Sequence, residues 1–177
     1  MTEHTSGQAL QDIWPEATCY GCGPANPYGL HIKSYWDSDG ETVFCRFQPD
    51  LKYNAGFPNV MYGGLVASLI DCHSIWTAIA AAYKAEGRPH GSAPSISYVT
   101  GSLQVRYLHP TPLDQEIVLR AHVTEVQGRK THVACTVRAG DRVTAEGTVV
   151  AVRIDDDKAR GVAAARAPQQ AGDEPRQ

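Results

Sequence analysis

The stretch NVMYGGLVASLIDCHSIW, Asn59 to Trp76, runs from a Gly-Gly pair into a nearly continuous apolar segment and places a carboxylate, Asp71, in its middle. The apolar run from Gly63 to Tyr83 is about as long as the ~20 residues a bilayer span requires. Asp71, His73 and Ser74 near its centre, with no basic flanks, favour a buried helix of a soluble protein over a membrane span. On a wheel of about 100° per residue, Gly64, Ala67, Ser68, Ser74, Ile75 and Ala78 fall within about 60° of Asp71. Leu65, Val66, Leu69 and Trp76 fall opposite, a face suited to packing into a sheet. Small side chains around an acid leave room for a ligand, a partner subunit or both. A purely structural alternative stands beside this, in which Asp71 only bonds a backbone N–H or a neighbouring Arg. His73 lies about 200° from Asp71 on a regular helix, so the two form no acid–base pair, and His73 is expected to be a core or sheet-facing group. Gly63 and Gly64 at the expected helix start offer first-turn N–H groups to a carbonyl oxygen or oxyanion, although a plain turn explains the pair equally well.

Around this helix the sequence alternates. GSLQVRYLHP sets Leu103, Val105 and Tyr107 against Ser102, Gln104 and Arg106, the period of a half-buried strand, and stops at Pro110. QEIVLRAHVTEV repeats the pattern up to a turn at Gln127-Gly128, and KTHVACTVRA runs to a turn at Gly140-Asp141 that leads into RVTAEGTVVAVRI. Upstream, LHIKSYWDSDGETVFCRFQ reads as two shorter strands about Ser38-Asp39-Gly40. The order is β-β-α-β-β-β-β. Local hairpins favour an antiparallel sheet, so the expected class is α+β, one helix against one sheet.

The 177 residues, 42% of them hydrophobic, suffice for one core. Residues 1–17 read as an N-terminal extension, 18–154 as the domain, and the charged, Ala/Gly/Pro-rich 155–177 as a disordered tail. A net charge of −3 with scattered Lys and Arg gives no footprint for nucleic acid. The first residues lack the pattern of a secretory signal, and five cysteines, three within apolar segments, suit reduced core thiols, so a cytoplasmic location is expected.

The run YGGLVASLID, followed by VTGSLQVRYLHPTPL, closely resembles the hotdog-fold acyl-CoA thioesterases, in the phenylacetate-pathway, 4-hydroxybenzoyl-CoA thioesterase-like branch. The resemblance covers about Cys19 to Ile154, and CYGCGPANPYGL, Cys19 to Leu30, is similar to a leader in one subset of these proteins. It implies a long helix wrapped by an antiparallel sheet, in a homodimer or homotetramer with each site between subunits. It further implies Asp71 as general base or nucleophile, a backbone N–H of Gly63 or Gly64 as the polarising donor, and Thr100, beside the start of the next strand and supplied by the facing subunit, as the hydroxyl that helps place the attacking water. Tyr62 stands where many relatives carry His, and Gly56 near where some carry an amide. Tyr62, Ser68 and Ile75 are the expected substrate neighbours, with Arg129 and Lys130 at a hairpin tip offered to the coenzyme A phosphates. Hydrolysis of an acyl- or aryl-CoA thioester needs water, a base and oxyanion stabilisation, so no cofactor is expected. The alternatives are a non-catalytic acyl-CoA binder and, less favoured because His73 faces away, a hydratase or dehydratase. Cys19-x-x-Cys22 has the spacing of half a zinc site, but no second Cys or His pair completes it, so no metal is expected. The leader is expected to fold over the domain, with Cys19 and Cys22 partly buried, and to cover the acyl or pantetheine channel.

Overall fold

A computed structural model describes residues 7–154; the tail assigned to 155–177 and residues 1–6 lie outside the described residues. The helix α1, Gly63–Ala85, lies against a six-stranded antiparallel sheet in which β1 (Ser34–Trp36), β2 (Val43–Phe47), β3 (Ser97–Tyr107), β4 (Ile117–Gln127), β5 (Lys130–Ala139) and β6 (Arg142–Ile154) take the order β1-β2-β4-β5-β6-β3. This is the hotdog arrangement, one long helix wrapped by an antiparallel sheet. The hairpins fall where glycine punctuates the sequence: Gly128 (φ 58°) and Gly140 (φ 55°) sit in the two-residue links β4–β5 and β5–β6.

The core lies between α1 and the inner faces of the strands. Leu65, Val66, Leu69 and Ile70 from the helix meet Val43, Cys45, Leu119, Val133, Val137 and Val149 from the sheet, all buried. At about 1.5–3 kcal/mol for each fully buried aliphatic side chain, this layer dominates the favourable side of folding. The helix packs tightly on β6 at Gly147, where a Cβ would stand 2.4 Å from Ile70 Cγ2. By length and composition α1 could cross a membrane, yet most of it is buried inside this fold, as expected of a core helix.

The structure departs from the wheel in one respect. Trp76 to Ala80 are all buried, so the helix is enclosed on every side there, and Ser74 and Ala78 belong to the core rather than to an open face. The half-open stripe beside Asp71 is made of Gly63, Gly64, Ala67, Ser68, Asp71, Cys72 and Ile75 and is interrupted by this buried segment. The chain before residue 18 also contributes to the core. Leu10 and Gln11 of a short 3-10 helix, Leu10–Ile13, are buried, and Gln11 bonds Ser34 twice: Nε2 donates to Ser34 Oγ (2.9 Å) and Oε1 accepts from Ser34 N–H (2.8 Å).

Candidate active site

Tyr62 caps α1. Its carbonyl accepts from the Leu65 N–H (2.9 Å) and Val66 N–H (3.2 Å), so Gly63 and Gly64 precede the first intrahelical bonds and their N–H groups are the orphan donors of a helix start. The Tyr62 ring is 60% exposed and lies over Gly64, where a Cβ would meet it at 2.5 Å. Tyr107, near the end of β3, donates from its hydroxyl to the Gly63 carbonyl (2.7 Å) and fixes this turn. A cavity of about 370 Å³ opens beside it, lined by Tyr20, Lys52, Tyr53, Asn54, Tyr62, Gly64, Leu65 and Ser68. Ser68 donates to the Gly64 carbonyl one turn back (2.9 Å). Lys52 is paired with Asp50 (3.2 Å) and stands 5.2 Å from the Tyr53 ring centre.

Asp71 lies two turns further on, half-buried. Thr100 Oγ1 donates to its Oδ1 at 2.5 Å. Burial pushes the Asp71 carboxyl above its ordinary value, the Thr100 hydroxyl works against this, and negative charge on Cys19 adds to the rise. Thr100 reaches Asp71 from the same chain, not from a facing subunit, and it lies within β3, which begins at Ser97, several residues before the alternating stretch that announced the strand. A register shift between Thr100 and Ser102 explains the reach. The extra residue reverses the alternation, so that even-numbered Thr100 and odd-numbered Tyr107 both face the helix.

The other sequence candidates are spread out. Ile75 is half-buried one turn beyond Asp71 and packs against the core. Arg129 and Lys130 are exposed at the β4–β5 tip; the Arg129 guanidinium donates to the Arg153 carbonyl (2.9 and 2.6 Å). Lys130 pairs with Val152, which pairs in turn with Val99, so the tip lies about 10 Å across the sheet from the Thr100 region. His73 faces away from Asp71. It is fully buried, its pKa lowered by burial to about 4, and its Nε2–H donates to the Val43 carbonyl (3.1 Å) while Nδ1 pairs with Ser34 Oγ (2.9 Å).

The leader packs on the outer side of α1, with Cys22 buried and Cys19 exposed. It brings both thiols to Cys72, the residue after Asp71, so that the three sulfurs lie within 4.8 Å of one another. Donors around Cys19, the Cys22 and Cys72 thiols first and then the Cys22 and Gly21 N–H groups, hold its thiol far below the ordinary value, and Cys22 and Cys72 are raised in turn. The residues that linear reading missed are Tyr107, Lys52, Tyr20 and Cys72; only Tyr107 carried a signal, its place in the alternating run of β3.

A family model described as Thioesterase superfamily matches residues 58–146, from just before the Gly-Gly turn into β6. The chain belongs to the thioesterase superfamily. A thioesterase superfamily protein from Shewanella loihica PV-4, of known crystal structure, is 34% identical to this superfamily member, with 82% of this chain and 99% of that one covered and a TM-score of 0.58. Acyl-coenzyme A thioesterase THEM4 of Rattus norvegicus is 27% identical over 132 residues, 73% of this chain and 51% of that protein. Its counterpart in Bos taurus is 25% identical over 145 residues, 81% and 54%. The chain thus spans about half the length of these curated relatives. A phenylacetic acid degradation-related protein of Ralstonia eutropha JMP134 shares the fold at 14% identity, with coverage of 82% and 99% and a TM-score of 0.59.

Proposed function

We propose that the chain hydrolyses an acyl-CoA or aryl-CoA thioester, with Asp71 as general base or nucleophile. The observation that carries this reading is the half-buried carboxylate held by Thr100 on the open stripe of α1, in a member of a thioesterase superfamily. A thioester carbonyl needs a base or nucleophile on one side and N–H donors at the oxygen on the other. Gly63 and Gly64 are the natural donors, but a rise of about 1.5 Å per residue sets Gly64 about 10 Å from Asp71 along the helix axis. One carbonyl group cannot touch both within a single chain. A second copy resolves this by bringing its own helix start to the first copy's Asp71, which makes the site a property of the dimer.

The sheet supports such pairing. β3 is an eleven-residue strand at the sheet edge, with Val99, Leu103 and Tyr107 exposed. A long edge with apolar side chains is a template for pairing with another strand. In the dimer, Tyr62, Ser68 and Ile75 border the acyl group or pantetheine arm, and Arg129 and Lys130 meet the coenzyme A phosphates, Arg129 turning from the Arg153 carbonyl to do so. The buried His73, held by Ser34 and Val43, disfavours a hydratase that pairs an acid with His.

The test mixes the purified protein with a panel of acyl- and aryl-CoAs and follows free thiol. Saturable thiol release from at least one member is the expected result. Saturable binding across the panel without thiol release would replace the enzyme with a non-catalytic acyl-CoA binder.

A further inference from the structure

We propose that Cys19, Cys22 and Cys72 form a three-thiolate site for a zinc-class divalent cation, with the fourth position open to solvent on the Cys19 side. The sulfurs converge from chain segments fifty or more residues apart. Cys19 and Cys22 sit on one tight turn, closed by the Gly23 N–H donating to the Cys19 carbonyl (2.9 Å), and Cys72 comes from α1. Cys19 Sγ and Cys72 Sγ are 3.6 Å apart, and all three sulfurs lie within 4.8 Å. With metal–sulfur bonds of about 2.3 Å, a tetrahedral ion holds its sulfurs about 3.8 Å apart, so the thiols are spaced for one ion between them.

The surroundings are built for sulfur anions. Trp76 Nε1–H donates to Cys22 Sγ (3.2 Å). Ligand sulfurs in metal sites are held by such outer donors. Gly21 makes room for the third ligand, since a Cβ there would stand 2.4 Å from Cys72 Sγ. A Cys19–Cys72 disulfide accounts for less. It would leave Cys22, the sulfur that the Trp76 N–H meets, outside the bond.

Binding exchanges the remaining thiol protons, which leave to solvent, for the ion, and changes no oxidation state. The ion pins the leader to the helix immediately beside Asp71. The site is independent of the reaction proposed above, and so is its test.

The protein is reduced under chelator until a denatured aliquot gives five reactive thiols, and the folded remainder is then titrated with Co²⁺ under nitrogen. The expected result is one equivalent bound, with a near-ultraviolet thiolate-to-metal band and tetrahedral visible bands, both displaced by Zn²⁺. Cys19→Ser, Cys22→Ser and Cys72→Ser should each weaken binding by at least about tenfold and shrink the thiolate band, with circular dichroism confirming the fold. Trp76→Phe should weaken binding by about tenfold as an outer-donor loss, and Cys45→Ala should leave it unchanged. Failure of the fully reduced wild-type protein to give the thiolate band would overturn the proposal. So would a band of undiminished intensity, with wild-type affinity, in a folded Cys72→Ser variant.

Discussion

Thr100 is the side chain that holds the Asp71 carboxylate in one orientation. Without its hydroxyl the acid keeps its place on α1 but loses a charge-assisted bond, worth about 1.5–3 kcal/mol at most and less where water replaces it. Thr100→Ala is therefore expected to lower kcat about tenfold while the protein stays folded, as read by thiol release beside a melting curve. Full-speed turnover would remove Thr100 from the site. Asp71 itself was readable in the sequence, because a carboxylate among small residues at helical spacing is detectable on a wheel. Its partner was less so, since the alternation of Ser102 to Tyr107, carried back without a break, turns Thr100 away from the helix. The shift at Gly101 is a local backbone event that period-2 reading does not register.

At the level of elements, order and turns were legible because helix and strand periods are strong local signals, and Gly128 and Gly140 mark their hairpins directly. What was not legible depends on contacts between distant segments. The leader's approach to Cys72 and the burial of Ser74 and Ala78 are set by what packs on α1, which no single segment encodes. Two predictions belong here. Gly147→Ala forces Ile70 and the helix off β6 and should cost about 1–3 kcal/mol in denaturant unfolding, the range for overpacking a filled core. The β1–β2 turn is tied to β4 by the Arg120–Asp37 ion pair, and that guanidinium, with the Ser38 N–H, holds the Asp37 carboxyl below its ordinary value. A folded value below the unfolded one means stability that is present above pH about 4 and is lost as pH falls further. Asp37→Asn should lower the denaturant midpoint at neutral pH and make its acid decline shallower. A decline as steep as the wild type's would assign the acid sensitivity to other groups.

For the whole molecule, the proposed reaction turns on the distance along α1 between the Gly-Gly turn and Asp71, which under that proposal asks for two copies per site. The exposed edge of β3 is where they are expected to join. Leu103→Asp places charge on that edge and should yield a folded species near the 19.2 kDa chain mass in sedimentation, with turnover lost together with the dimer. A monomer that keeps its turnover would mean that one chain completes the site. The most direct measurement is turnover by Asp71→Asn, on the acyl-CoA that the wild-type protein cleaves best. The substitution keeps the shape and the Thr100 contact but removes the charge that, in the proposed reaction, activates water or attacks the carbonyl. The expected result is a folded protein whose kcat falls by about 10²–10⁴-fold with substrate binding retained. Wild-type turnover by the Asn variant would contradict it.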